Sequence, residues 1–484
     1  MPIIESFVHN GITIDIKPTP SPMGPLGRAV FGLVGTAPDA DPQIPRNKPY
    51  YINDKAKLAK LDMTGTERGT LWPAINAIYK VAQVSIYVVI VEEDTASQPA
   101  AKDYQATITS AALEEGTGYL RIVVSQPTLL QAVVGAQAAS WTVQKDAKSA
   151  GMVSFVPGEE NVLRIKADGT LKLADLTEGV ILTIKGKDLT AAGTVANVIG
   201  GVDPVSGRRT GIEALAAGIP ETLTDISAPG FTHKAVHDAV TAMAKRLFCH
   251  PVLEGPSTTD EAAIAMSQSL GGTGLGYENA AMADPYPKVW SNATKGYVYA
   301  SAAAHYLSCL ARIHIHEAPG KGRMGVMIDG LQREIDYSIV DKTSGGNRLN
   351  KYGICYFART SLGGYSLIGN RCITGRFINV VRTELAIVRK LMATSEIAMA
   401  ELLSKEFMEQ RVALLNSGLS AEAAAGKFIG VQVYLHPVMN NAENYNNGEW
   451  HICIKWAAYR PNEHMVYHLS EDQGILDNFL EEIL

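Results

Sequence analysis

The sequence predicts a multi-domain protein of the α/β (α+β) class, with helix-covered mixed sheets, an inserted all-β domain and extended strand arms at both ends. Three observations carry this expectation. Near-continuous apolar runs at 29–34 and 84–91 alternate with segments of helical spacing, as a sheet buried on both faces requires. Between 96 and 195 the pattern changes to short β runs separated by turn residues. Strand candidates at 11–17 and 464–469 are set off from the body by proline, at 18–25 and at Pro461.

Size and composition narrow the function classes. A chain of 484 residues exceeds one compact core, which implies roughly two to four domains. A hydrophobic share of 46% with 19% charged residues describes a folded protein light in charge, as a chain that hides surface in an assembly would be. The net charge of −6 gives no reason to expect a nucleic-acid partner. Met1 to Phe7 shows no basic region followed by an apolar core, so no signal peptide is expected. The longest apolar run, 81–91, is about half a bilayer span and is interrupted by Gln83 and Ser85, so no membrane insertion is expected. Five scattered cysteines (Cys249, Cys309, Cys355, Cys372, Cys453) suit reduced thiols filling a core.

Residues 1–25 hold one strand, in which Ile12, Ile14 and Ile16 share a face, followed by a proline-rich linker. A strand hung outside the first domain in this way is placed to join another sheet edge, although a frayed terminus is the plainer account. Residues 26–95 follow the order β-α-α-β, with Leu71, Ile75, Ile78 and Tyr79 at helical spacing. The polar stretch from 96 to 102 reads as a linker into the β module, whose runs fall at 119–124, 141–143, 153–156, 162–166, 169–173 and 179–185. The α/β pattern resumes over 196–345. Its helices are expected at 233–247, at 262–270 behind a Thr259 cap, and at 300–313. Residues 346–460 form a further α/β domain with two long helices. In the first, Ile378, Val381, Leu385, Val388 and Met392 share a face. The second, 400–415, is expected to end at Gly418 as its C-cap.

A β-hairpin closes that domain. Val431 and Val433 lie in its first strand, an Asn-rich turn spans 440–447, and Trp450, Ile452, Ile454 and Trp456 fall on one face of the second strand. Beyond Pro461, Met465, Val466 and Tyr467 lie in a second extended run. Residues 461–484 therefore read as an arm. It ends in a short amphipathic helix, with capping-box spacing from Ser470 to Gln473 and with Leu476, Phe479, Leu480 and Ile483 on one face.

Catalytic chemistry finds little support. The glycine-rich loop at 271–276 carries Tyr277 where a dinucleotide fingerprint needs glycine, and it lacks the lysine of a phosphate loop. His314 with His316, placed on a strand, and His233 with His237, placed on a helix, share faces. Each pair has only Glu317 or Asp238 nearby, so buried or surface histidines are the plainer account. No hydrolase signature is present. No cofactor is expected, and no catalytic or metal-binding residue is assigned. Arg371, Arg376, Arg382, Arg389 and Lys390 cluster in sequence, either as a solvated helix face or as contacts to an acidic protein partner.

Several stretches, taken together and in order, resemble the sheath protein of contractile phage tails. Gly11 to Ile16 is similar to that family's opening strand. Val34-Gly-Thr-Ala-Pro-Asp resembles its first conserved strand, and Asn47-Lys-Pro with Tyr51-Ile-Asn-Asp resembles the stretch after that strand. Gly69-Thr-Leu-Trp-Pro-Ala-Ile and 84–91 resemble its next helix and strand. Ile199-Gly-Gly-Val-Asp-Pro, Gly211-Ile-Glu-Ala-Leu and Ser227-Ala-Pro-Gly match mid-chain markers. Leu349-Asn-Lys-Tyr-Gly-Ile and Gly369-Asn-Arg-Cys-Ile-Thr-Gly-Arg resemble later ones. Ile368 stands where the family has tryptophan, and Ala393-Thr-Ser-Glu stands near where its Glu-Pro-Asn turn separates the two helices.

The resemblance implies a structural, non-enzymatic virion subunit assembled in the bacterial cytoplasm. It would stack as hexameric rings in a helical sheath around the tail tube, with baseplate and tail terminator proteins as further partners. Contraction would drive the tube through the host envelope. Arms carrying Ile12, Ile14, Ile16, Met465, Val466 and Tyr467 would join a sheet presented by Val431, Val433, Ile452, Ile454 and Trp456 of neighbours. The 346–460 domain would face the tube, with the basic residues from Arg371 to Lys390 among its contacts, and the 96–195 module would face outward. A tailocin or contractile injection system would use the same subunit. An α/β enzyme with an inserted β domain would need an acid/base constellation that the sequence does not supply.

Overall fold

The computed structural model describes residues 28–94, 101–113, 119–124, 142–145, 148–156, 159–166, 176–187, 194–271, 277–321, 325–361 and 363–483. Its centre is a nine-stranded mixed sheet. From one edge the strands are Gly325–Val326, Tyr365–Ile368, Ile354–Arg359, Ala281–Ala283, His250–Glu254, Asp225–Ser227, Val30–Thr36, Ser85–Val91 and Pro49–Ile52. The six middle strands pair in parallel, and antiparallel strands close both edges.

Alternation along these strands feeds two cores. Phe31, Leu33, Ile86, Val88 and Ile90 enter one, beneath helices Leu71–Tyr79, Ala302–Arg312 and Ile378–Glu396. Val34, Tyr87, Val89 and Val91 enter the other, beneath helices Lys234–Leu247 and Asp260–Gly271. Helices on both faces explain why the central strands read as unbroken apolar runs. The sheet also crosses residue 346 without a break, since Ile354–Arg359 pairs in parallel with Ala281–Ala283. The strands after 346 thus extend the sheet begun at Val30.

Between Asp94 and Thr194, six antiparallel strands close into a barrel: Ala101–Leu113, Tyr119–Val124, Thr142–Lys145, Lys148–Val156, Glu159–Lys166 and Ile181–Lys187. The chain leaves and returns at one place. The Asp94 amide donates to Thr194 Oγ1 at 3.0 Å, and Asn197 Nδ2 donates to the Glu92 carbonyl at 3.0 Å. Part of the stretch taken for a linker is strand, because Ala101–Leu113 alternates small and polar residues that give a weak hydrophobic signal. The expected run at 169–173 lies outside the described residues, as does Trp141, whereas Thr142 and Val143 of its run open the strand Thr142–Lys145.

The second long helix differs from expectation. It runs Lys405–Ala424, starting where Ser404 Oγ accepts from the Phe407 amide. Gly418 lies inside it and does not cap it, because the alanine-rich turns after it continue the helix at little cost.

Candidate assembly surface

The hairpin forms as its pattern dictates. Gly430–Leu435 pairs antiparallel with Ile452–Ala457, bringing Val431 opposite Trp456 and Val433 opposite Ile454. Val431, Val433, Ile452, Ile454 and Trp456 all turn inward onto the two long helices. There they pack with Ile387, Leu415, Leu419 and Phe428. Phe428 is fully buried and meets the Trp456 ring edge-on at 6.0 Å. Glu422 ties the layer together, bridging Lys390 at 2.8 Å and Lys427.

Because those side chains are spent on the chain's own core, only backbone remains to meet another strand. The Val433 amide turns away from its partner strand and donates to Asn416 Oδ1 at 3.3 Å, so helix Lys405–Ala424 flanks that edge. By antiparallel alternation, Ile452, Ile454 and Trp456 point their amides and carbonyls off the opposite edge. Among the described residues no strand pairs there.

The chain after this edge is anchored briefly and then released. Asn379 Nδ2 donates to the Tyr459 carbonyl at 2.9 Å. Arg460 and Arg371 both lie over the Phe377 ring, at 5.5 and 4.1 Å. Arg371 Nε donates to Glu463 Oε2 at 2.9 Å, with Nη1 on the Gly375 carbonyl. Met465, Val466 and Tyr467 are then 61, 62 and 81% exposed and belong to no strand. The helix Gln473–Ile483 comes next, with no buried residue. The predicted N-terminal strand residues Ile12, Ile14 and Ile16 lie outside the described residues.

The basic cluster divides between the surface and the interior. Arg371 and Arg376 are partly exposed but already paired, Arg376 with Asn279 Oδ1 at 2.6 Å and with Glu384. Arg382, Arg389 and Lys390, expected among the tube contacts, instead spend their charged groups on partners inside the chain. Arg382 forms a two-pronged pair with Asp225 at 3.0 and 3.1 Å, at the middle of the nine-stranded sheet. Arg389 reaches the Phe248 carbonyl, and Lys390 is taken by Glu422. The signal was present, since 378, 382, 385 and 389 also follow the helical period of the inward face. Burial alone would raise the Asp225 pKa, but Arg382, His250 and Thr224 outweigh it and hold the carboxyl below its usual range.

His314 and His316 sit in a turn after helix Ala302–Arg312, where no ladder partner is available, and not on a strand; their rings stack at 5.6 Å. His237 is buried, and burial pulls its pKa down to about 4. Among the described residues no group of three or more His, Cys, Asp or Glu could hold a metal. No helix among them is long and apolar enough to cross a membrane.

Two of the motifs noted in the sequence pack together. Gly353 has φ +70°, and a side chain there would collide with the Cys372 carbonyl. Gly369, with φ +121°, sits against Asn350 and Cys355. Leu349 to Ile354 and Gly369 to Arg376 thus require glycine where each backbone presses on the other. Together they line a cleft of about 590 Å³, which Asn462 and Glu463 also line.

Comparison with known proteins places this architecture. No protein-family model matches the chain. A prophage major tail sheath protein of Pseudomonas aeruginosa (strain UCBPP-PA14) is 27% identical over 299 residues, covering 59% of this chain and 74% of that protein. The tail sheath protein of Burkholderia phage BcepMu is 23% identical over 496 residues, covering 96% of each. Among solved structures, the PVC sheath complex of an extracellular contractile injection system, in its contracted state, matches with a TM-score of 0.53 at 15% identity. That match covers 97% of this chain and 100% of the other. By sequence the chain is similar to tail sheath proteins of a prophage and a phage, and its fold is similar to that of an injection-system sheath.

Proposed function

We propose that this chain is the structural subunit of a contractile sheath, polymerising as stacked hexameric rings around a tail tube and shortening to drive that tube through a host envelope. One observation carries the reading: a chain similar to tail sheath proteins over 96% of its length presents both an unpaired strand edge, at Ile452–Ala457, and an unpaired extended segment, at 464–469. Edge and segment do not satisfy each other within the described residues. Copies arranged in a lattice would satisfy both.

In this reading Met465, Val466 and Tyr467 of one copy, and Ile12, Ile14 and Ile16 of another, extend the hairpin of a third. Backbone bonds of this kind persist while bodies rotate, so a lattice can shorten without separating. The body divides at its arms, 1–25 and 461–484. The barrel within 96–195 is an outward-facing inserted domain, and Arg371 and Arg376 remain the basic residues available to a tube. Baseplate and tail terminator proteins cap the assembly, the role is non-enzymatic, and the product is a virion component assembled in the host cytoplasm. The structural likeness to an injection-system sheath supports a second reading, in which the same subunit serves a contractile injection system or tailocin.

Negative-stain microscopy of the purified chain tests the proposal. Tubes or rings are expected, and deletion of 1–17 or 460–484 should leave folded monomers. Wild-type protein that stays monomeric under every condition would sink the sheath role. Truncated protein that assembles normally would sink the arm mechanism.

A further inference from the structure

A separate antiparallel sheet, built from Pro287–Ser291, Gly296–Tyr299 and Gly330–Leu331, carries an uncovered aromatic face. Lys288 lies opposite Tyr299 and Trp290 opposite Tyr297, so the four side chains share that face. Trp290, Tyr297 and Tyr299 are 47, 55 and 54% exposed. The arrangement is ordered: Trp290 meets Tyr297 edge-on at 5.3 Å, and Lys288 Nζ stands 4.8 Å over the Tyr297 ring. Beneath it, Ser291 Oγ donates to Glu67 Oε2 at 2.6 Å, and the Asp329 amide donates to the Lys288 carbonyl at 2.8 Å. Rigid tryptophan and tyrosine on a fixed backbone are the groups that anchor protein interfaces.

The same chain holds an apolar element with the complementary charge. In helix Gln473–Ile483, Ile475, Leu476, Phe479, Leu480 and Ile483 are 44 to 70% exposed. Acids surround that stripe at Glu471, Asp472, Asp477, Glu481 and Glu482, and no basic residue occurs between 469 and 484. The aromatic face carries lysine as its one charge, with Lys295 exposed in the adjoining turn. Two other exposed apolar stretches carry acid. Ile397, Met399 and Leu402 lie beside Glu396 and Glu401, and Ile339 and Val340 lie beside Asp341.

We propose that the Lys288, Trp290, Tyr297 and Tyr299 face receives the Gln473–Ile483 helix of a second copy. Docking buries the helix stripe on the aromatics, with Glu482 and Asp477 flanking it toward the lysines. It supplies a side-chain contact where the arm strand supplies only backbone bonds. This docking presupposes copies that assemble, and so rests on the proposed sheath role.

Cross-linking in the full chain tests it. In a Cys453→Ser background, Tyr297→Cys combined with Phe479→Cys should give a ladder of disulfide-linked species on a non-reducing gel after oxidation, and neither single variant should. Lys288→Glu should slow assembly by about tenfold, as an unfavourable rim charge does, and Glu482→Lys with Asp477→Lys should restore it. Polymers that form at the wild-type rate with Trp290→Ala and Tyr297→Ala together, or assembled double-cysteine protein without a ladder, would overturn the docking while leaving the sheath role intact. A ladder that stops at dimers, with no tubes, would keep the docking and remove the sheath role. These residues are exposed, so an unchanged unfolding midpoint verifies that each variant is folded.

Discussion

The nine-stranded sheet and the two-stranded hairpin use the same apolar alternation and reach opposite ends. The large sheet covers both faces with helices and closes both edges with antiparallel strands. The hairpin has helices on one face, and nothing pairs with one of its edges among the described residues. The contrast shows which region is finished within the chain. A finished region concentrates buried polar groups with internal partners, as Asp225 and Arg382 do. An unfinished one leaves backbone donors and acceptors in water, available to another strand.

Acid provides the largest test of this contrast. Burial pulls His237, His250 and His305 down to about 4 from an ordinary value of 6.5, and all three lie in the body around the large sheet. Their folded pKa lies below the unfolded one, so the unfolded chain binds protons first as pH falls. The stability they confer is complete above pH 6.5 and is lost progressively down to about pH 4. Each contributes roughly 3 kcal/mol across that window. Denaturant titrations at pH 7 and pH 5 should show a steep loss. Equal midpoints would mean that the histidines are not held neutral.

Removing one partner of the central ion pair comes next. Arg382→Ala leaves Asp225 buried and uncompensated and should cost about 3–5 kcal/mol. Hydrogen exchange should show the loss in the large sheet before the hairpin; loss in the hairpin alone would contradict the division between finished and unfinished regions. The smallest effect belongs to the arm root. Glu463→Gln breaks a pair with Arg371 that is 31 and 41% exposed on its two sides, and should move global stability by less than about 1 kcal/mol. Its mark should instead be slower or disordered assembly. A large drop in the unfolding midpoint would make Glu463 a structural residue of the body.

Legibility followed the range of the interactions. The hairpin, the amphipathic helix after 470 and the β-α-α-β start were readable because each declares itself within a few residues. The Asp225–Arg382 pair spans 157 positions, and nothing local at Asp225 indicates a partner. Arg382 was read by its charge although its spacing put it inward. The strand Ala101–Leu113 was hidden because its first half, Ala-Lys-Asp-Tyr-Gln-Ala-Thr, is mostly small and polar and gives a weak hydrophobic signal. Continuation of one sheet past residue 346 was equally hidden, since parallel pairing joins strands through long crossovers. Of the assembly surface, the strand faces were legible and the anchoring of the arm at Phe377 and Asn379 was not.

That anchoring has a mechanical consequence. Gly430 and Ala457 lie opposite one another at the same end of the hairpin, so tension on the chain beyond 457 would unzip the ladder one pair at a time. The bond from Asn379 to the Tyr459 carbonyl intercepts that pull just outside the last pair. Asn379 and Arg382 occupy the same turn of helix Ile378–Glu396, and Arg382 grips Asp225 in a central strand of the large sheet. Force applied to the arm is thereby routed past the two-stranded hairpin and into the nine-stranded sheet.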